Sequence, residues 1–253
     1  MNRTKSSRGF SLVELMIALA AGLVVSTAAV AFLMSSFRSN SEYVQSTKLT
    51  QELRSSLDLI TRDLRRAGYD EKALAYLATS SGSPFSRMRF CDASDLCAAA
   101  ATPPNTCVIY AYDRVGGTEA TTTPEPSNGE IRGIRRKQRL VNGRSVGVIE
   151  YAVSTGAIKP VCSGASPDYT AFPVTCNTTS TWCPLSDPAQ LDISTLTFTD
   201  IGAATGGVQL RDIDVVLQGR IAGTTDFIRG VRSNIRIRSE CFDATLSNCS
   251  LSP

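Results

Sequence analysis

The chain has 253 residues, eight cysteines and no histidine, with 26 basic and 23 acidic side chains for a formal charge of +3. The missing histidine excludes a Ser-His-Asp triad, a Cys-His pair and any histidine metal ligand. No phosphate-binding glycine loop precedes a helical pattern and no Cys-x-x-Cys occurs, so the expectation is a non-enzymatic chain with no metal and no cofactor.

Residues 1–9 contain Arg3, Lys5 and Arg8 and no acid, whereas residues 10–34 carry a single charge, Glu14. Removing the three leader cations leaves 23 basic and 23 acidic side chains, so the surplus charge belongs to the leader and says nothing about nucleic acid. An apolar run of 25 residues exceeds the roughly 20 needed to span a bilayer. Its basic flank places residues 1–9 in the cytoplasm and the remainder outside. A carboxylate inside such a run costs about 2.5–3.5 kcal/mol at the bilayer centre, less near the interface, and marks function. Ala18, Gly22 and Ser26 recur every four residues, a spacing of small side chains that lets two helix backbones approach closely in lipid.

Beyond residue 37 the pattern becomes amphipathic. Leu49, Leu53, Leu57, Ile60, Leu64 and Ala67 form one stripe on a 3.6-residue helix. No proline precedes Pro84, and Gly22 is the only glycine between Gly9 and Gly68. The pattern therefore predicts one helix over 11–67, about 85 Å long. Gly68 follows Arg65-Arg66 and supplies its stop, with cations against the negative helix end.

Residues 69–103 read as loop with one short helix near 72–78. Strands are expected over 107–112, 131–140, 146–153, 191–201, 208–217 and 227–241, with a polar loop over 116–129. Asn142-Gly143 is a hairpin signal, although the loop length stays open. In the last strand, Ile235 and Ile237 alternate with Arg236 and Arg238, giving one buried and one wet face. A helix laid across an antiparallel sheet is the α+β class. All eight cysteines (Cys91, Cys97, Cys107, Cys162, Cys176, Cys183, Cys241 and Cys249) lie in this exported part and read as disulfides. Sequence allows 105 pairings; Cys91–Cys97 and Cys241–Cys249 are favoured as short-range, and a bridge among the other four would staple the proline-rich loop 159–190.

Gly9-Phe10-Ser11-Leu12-Val13-Glu14-Leu15 resembles the processing site of type IV prepilins and of the pseudopilins of type II secretion. The resemblance covers about the first 35 residues. It implies that a prepilin peptidase cuts after Gly9 and methylates Phe10, and that the carboxylate of Glu14 meets the amino terminus of an adjacent subunit. It also implies a pilin-like division: leader 1–9, membrane or filament-core half-helix 10–37, amphipathic half-helix 38–68 and a periplasmic head 69–253. An ordinary secretory signal cut near Ala29-Val30-Ala31 has a shorter apolar core and no Glu14 at its start. A plain signal anchor is the third reading.

A second resemblance concerns subtype. Leu57–Tyr69, ending Asp63-Leu64-Arg65-Arg66-Ala67-Gly68-Tyr69, resembles the helix end of PilW-type minor pilins, and more loosely that of J-type pseudopilins. The first implies other minor pilins, the major pilin, a PilY-type tip adhesin and the inner membrane as partners. The alternatives are a J-type pseudopilin and a tethered periplasmic binding module that never polymerises. Arg132, Arg135, Arg136, Lys137, Arg139 and Arg144 place six cations within 13 residues. They read as a solvated strand face, a surface for an acidic partner or, with little aromatic interleaving against it, a DNA contact. Asp92 and Asp95 lack the oxygen run of a calcium loop.

Overall fold

The computed structural model describes residues 9, 11–73, 83–92, 94, 96–97, 105–114, 125–171, 173–202, 204–205, 208–224, 227–239 and 241–242. The chain divides into two compact units, residues 1–47 and 48–253. Among the described residues one helix, α1 (Leu12–Leu64), supplies all the regular structure of the first unit and the first element of the second.

In the second unit the apolar stripe does what its spacing predicts. Leu49, Leu53, Leu57, Ile60, Leu64 and Ala67 are buried in one cluster with residues from most of the strands. Among the described residues eleven strands follow: β1 (Met88–Cys91), β2 (Cys107–Ala111), β3 (Ile131–Val141), β4 (Arg144–Val153), β5 (Trp182–Pro184), β6 (Leu191–Asp200), β7 (Ala204–Thr205), β8 (Val208–Gln209), β9 (Asp212–Ile221), β10 (Arg229–Arg236) and β11 (Cys241–Phe242). They form antiparallel sheets of order β1-β2-β3-β4-β5, β10-β9-β6 and β11-β8-β7. The α+β, pilin-like layout expected from sequence is what the chain adopts.

Strand β2 shows how the layers stack. Val108 and Tyr110 face the α1 cluster, while Cys107, Ile109 and Ala111 face a second cluster built from Phe85, Ile131, Cys162 and Trp182. Both faces of this strand are therefore covered, one by the helix and the other by the loop that leads to β5. Between β3 and β4, Asn142 and Gly143 both have positive φ (50° and 74°), and Val141 pairs Arg144 across a two-residue turn. That is the tight hairpin whose twist matches its strands.

Several boundaries differ from expectation. The helix ends at Leu64 rather than Ala67 because the last amides bond three residues back, Arg66 N–H to Asp63 O and Ala67 N–H to Leu64 O. Strand β1 falls in a stretch read as loop, and β5 lies inside the proline-rich loop. The strand expected over 208–217 is two, β8 and β9, and the one over 227–241 ends at Arg236. Residues 74–78 of the expected short helix and 116–124 of the polar loop lie outside the described residues.

Candidate processing and assembly site

In the first unit, every described residue up to Gln45 is exposed. Leu12 is 76% exposed, Phe32 73% and Phe37 71%. Such a contiguous apolar surface is covered in a working protein by lipid or by other chains. By length and composition this helix suffices to cross a membrane. Gly9 is exposed ahead of it, and Phe10 lies outside the described residues.

Glu14 sits in the first turn of α1, where the positive end of the helix dipole favours a carboxylate. It makes no hydrogen bond or ion pair among the described residues. Ala18, Gly22 and Ser26 follow at successive four-residue steps, all exposed. A Cβ placed on Gly22 would meet nothing within 4 Å. The four residues thus share one helix row. Among the described residues nothing in the first unit fills that row, so a neighbouring helix can approach it.

The other end of α1 is bound tightly to its sheet. Asp63 accepts a hydrogen bond from the Tyr110 hydroxyl and another from Tyr112 at 3.1 Å, and lies 3.6 Å from Arg132. Arg132 also stacks 4.7 Å over the Tyr112 ring. Burial first, and the Asp63 charge second, raise both tyrosines above their ordinary value, Tyr110 strongly. Gly68 then adopts φ +80°, and a Cβ there would lie 2.7 Å from the Ser239 Cβ. Its N–H donates to Ala111 O at 2.8 Å and its carbonyl accepts from the Ser239 hydroxyl at 2.5 Å. Asp63, Leu64, Ala67 and Gly68 of the segment that resembles the pilin helix end therefore each have a local structural job.

Residues 42–237 match the family model described as prepilin peptidase-dependent protein B, and residues 4–30 match the prokaryotic N-terminal methylation motif. The chain belongs to the prepilin peptidase-dependent protein B family. No curated protein and no solved structure matches it. It is accordingly a type IV pilin-like protein processed by a prepilin peptidase, with an apolar N-terminal helix that fits a membrane anchor.

In the head of this prepilin-like protein the basic stretch is not a continuous exposed face. Arg135 is 0% exposed, and its Nε and Nη2 both reach one carboxylate oxygen of Glu150, Oε2, at 2.7 and 2.6 Å. It also donates to Cys162 O and Gly164 O (2.5 and 2.8 Å) and to the Ser166 hydroxyl, and stacks 3.9 Å over Trp182. Arg132 is spent on Asp63. Arg136 donates to Ile193 O at 2.7 Å, and Arg139 lies 3.7 Å from Glu150. The physical reason is strand register. Arg135 stands directly opposite Glu150, on the face that Trp182 and its loop cover. Sequence reading missed Glu150, Asp63 and Trp182 as organisers.

Disulfides join Cys91 to Cys97, Cys107 to Cys162, and Cys176 to Cys183. Cys249 and the side chain of Cys241 lie outside the described residues. The sulfurs of Cys91, Cys97 and Cys162 lie close together, but each is already in a disulfide, so no thiolate is present to ligate a metal. Asp92 is a turn residue: its Oδ1 accepts from Ser94 N, Ser94 Oγ and Leu96 N, and the Ser94 bond first of all holds its carboxyl low. Asp95 is outside the described residues.

Proposed function

We propose that this chain is a minor pilin of a type IV pilus, cut after Gly9, methylated at Phe10, and acting with sister minor pilins to initiate assembly and carry a PilY-type adhesin at the tip. It waits in the inner membrane as a single-pass protein with a periplasmic head, then enters the filament through residues 10–37. The observation that carries this reading is the uncovered half of α1, an apolar surface that holds one acid, Glu14, and a row of small residues. In a bundle of such helices the carboxylate of Glu14 pairs with the α-amino group of a neighbouring Phe10, which offsets part of the desolvation cost of each charge. Ala18, Gly22 and Ser26 set the approach distance of the neighbour. The PilW-type assignment is supported by the Asp63–Tyr69 helix end and by the disulfide-rich head.

No step in this role is chemical, so the mechanism is templating: the head and the exposed face of residues 38–64 meet sister subunits, while the apolar half-helix adds to the growing core. The test is Glu14→Ala. Membrane fractionation and pilus shearing should find the variant inserted normally and depleted from filaments. Normal incorporation would sink the charge-pairing role. Recovery of the chain with a secretion pseudopilus instead of a pilus would replace the tip role with that of a J-type pseudopilin.

A further inference from the structure

A cleft of about 630 Å³ opens beside the C-terminal end of α1 in the second unit, within the range of about 300–1,000 Å³ typical of ligand sites. Four arginines line it: Arg65, Arg66, Arg114 and Arg238. All four are exposed, and among the described residues none forms an ion pair with a carboxylate. Tyr69, 58% exposed, and Tyr112 form its aromatic wall. The helix dipole accounts for Arg65 and Arg66 at a C-terminus. It does not account for Arg114, which follows β2, or Arg238, which follows β10. Three separate segments of chain bring like charges to one concavity, where their mutual repulsion favours a bound anion.

Two acids, Asp70 and Asp113, also line the cleft and offset half of its four cations, which leaves the lining positive. Asp70 accepts from the Ser83 hydroxyl at 2.5 Å and from Lys72 N at 2.8 Å, and Asp113 accepts from Glu71 N at 3.3 Å. Both are used to fix the backbone that shapes the wall. Guanidinium groups are planar forks that match carboxylates bidentately and stack on aromatic rings. We propose that this cleft binds a carboxylate-rich peptide segment of a partner protein, gripped by the four guanidinium groups and laid against Tyr69. The arginines surround a concavity instead of tracking along a groove, which disfavours a nucleic-acid backbone. The proposal goes beyond the pilus reading and holds whichever filament the chain joins.

The test uses the full-length chain in detergent micelles and fluorescein-labelled hexaglutamate, read by fluorescence anisotropy. The double reversal Arg65→Glu/Arg238→Glu should weaken binding by about ten-fold or more. The control Arg54→Glu/Lys159→Glu makes the same change in net charge at exposed positions outside the cleft and should stay within about two-fold. Tyr69→Ala, which leaves every charge in place, should also weaken binding, and keeps the test decisive if the double reversal misfolds. Absence of hexaglutamate binding, or equal loss in the two double variants, overturns the proposal. So does displacement of the peptide by inorganic phosphate as effective as by unlabelled peptide, or tighter binding of a short DNA duplex that the same reversal abolishes.

Discussion

Replacing Glu150 with glutamine keeps the size of the side chain and removes one charge from a place with no solvent. Arg135 and Glu150 both have fully buried side chains, and the carboxylate accepts from Arg135 Nε, Arg135 Nη2, the Ser166 hydroxyl at 3.0 Å and the Tyr169 hydroxyl at 3.2 Å. In the Glu150→Gln protein the Arg135 charge keeps two carbonyls and one hydroxyl but loses its counter-charge. Breaking a buried pair from one side costs about 3–5 kcal/mol. The remaining acceptors argue for the low end, about 3 kcal/mol. In a domain of this size that is a fall in melting temperature of about 6–12 °C. The assay is urea or thermal unfolding of the full-length chain in micelles, followed by near-ultraviolet circular dichroism, since Trp182 stacks on Arg135. The double variant Arg135→Met/Glu150→Leu removes both charges, and should recover more than half the loss. A loss below about 1 kcal/mol for Glu150→Gln refutes the claim that this pair organises the head.

The Cys107–Cys162 bond spans 55 residues and Cys176–Cys183 spans 7, so loop-closure entropy gives about 4 and about 2 kcal/mol respectively; serine replacements measured by urea unfolding should rank in that order. Gly68→Ala puts a Cβ against Ser239 at positive φ and should lower stability by about 2 kcal/mol, read as a shift in the urea midpoint. Tyr110 and Tyr169 are raised above their ordinary value of 10.0 or so by burial first and by the Asp63 or Glu150 charge second. Their contribution is complete below pH 10 and declines as pH rises toward the folded value, because only the unfolded tyrosines then release protons. The slope is about −1.4 kcal/mol per pH unit for each tyrosine, and Tyr110→Phe should make alkaline unfolding shallower.

The amphipathic part of α1 was readable because its stripe, Leu49 to Ala67, is a local period that depends on nothing remote. The β3–β4 hairpin was readable for the same reason, through Asn142-Gly143. A two-residue turn there places Arg135 opposite Glu150, so the buried pair was within reach of the sequence had the loop length been fixed. Its burial was not, because the covering residue is Trp182, 47 positions beyond Arg135 and held by a disulfide whose partner sequence cannot choose. Strand β1 was missed because four residues, Met88-Arg89-Phe90-Cys91, carry too short a pattern, and pairing with β2 alone makes them a strand. The role of Asp63 was hidden for a related reason: its partners Tyr110, Tyr112 and Arg132 come from two other elements. The processing border is the opposite case, since a peptidase reads it as linear sequence.

The most direct measurement is intact-mass and amino-terminal peptide analysis of the chain coexpressed with a prepilin peptidase. The expected product lacks residues 1–9 and begins at Phe10 carrying one methyl group on its amine, with the apolar helix retained. A chain that keeps Met1, or one that begins near Phe32, contradicts the account.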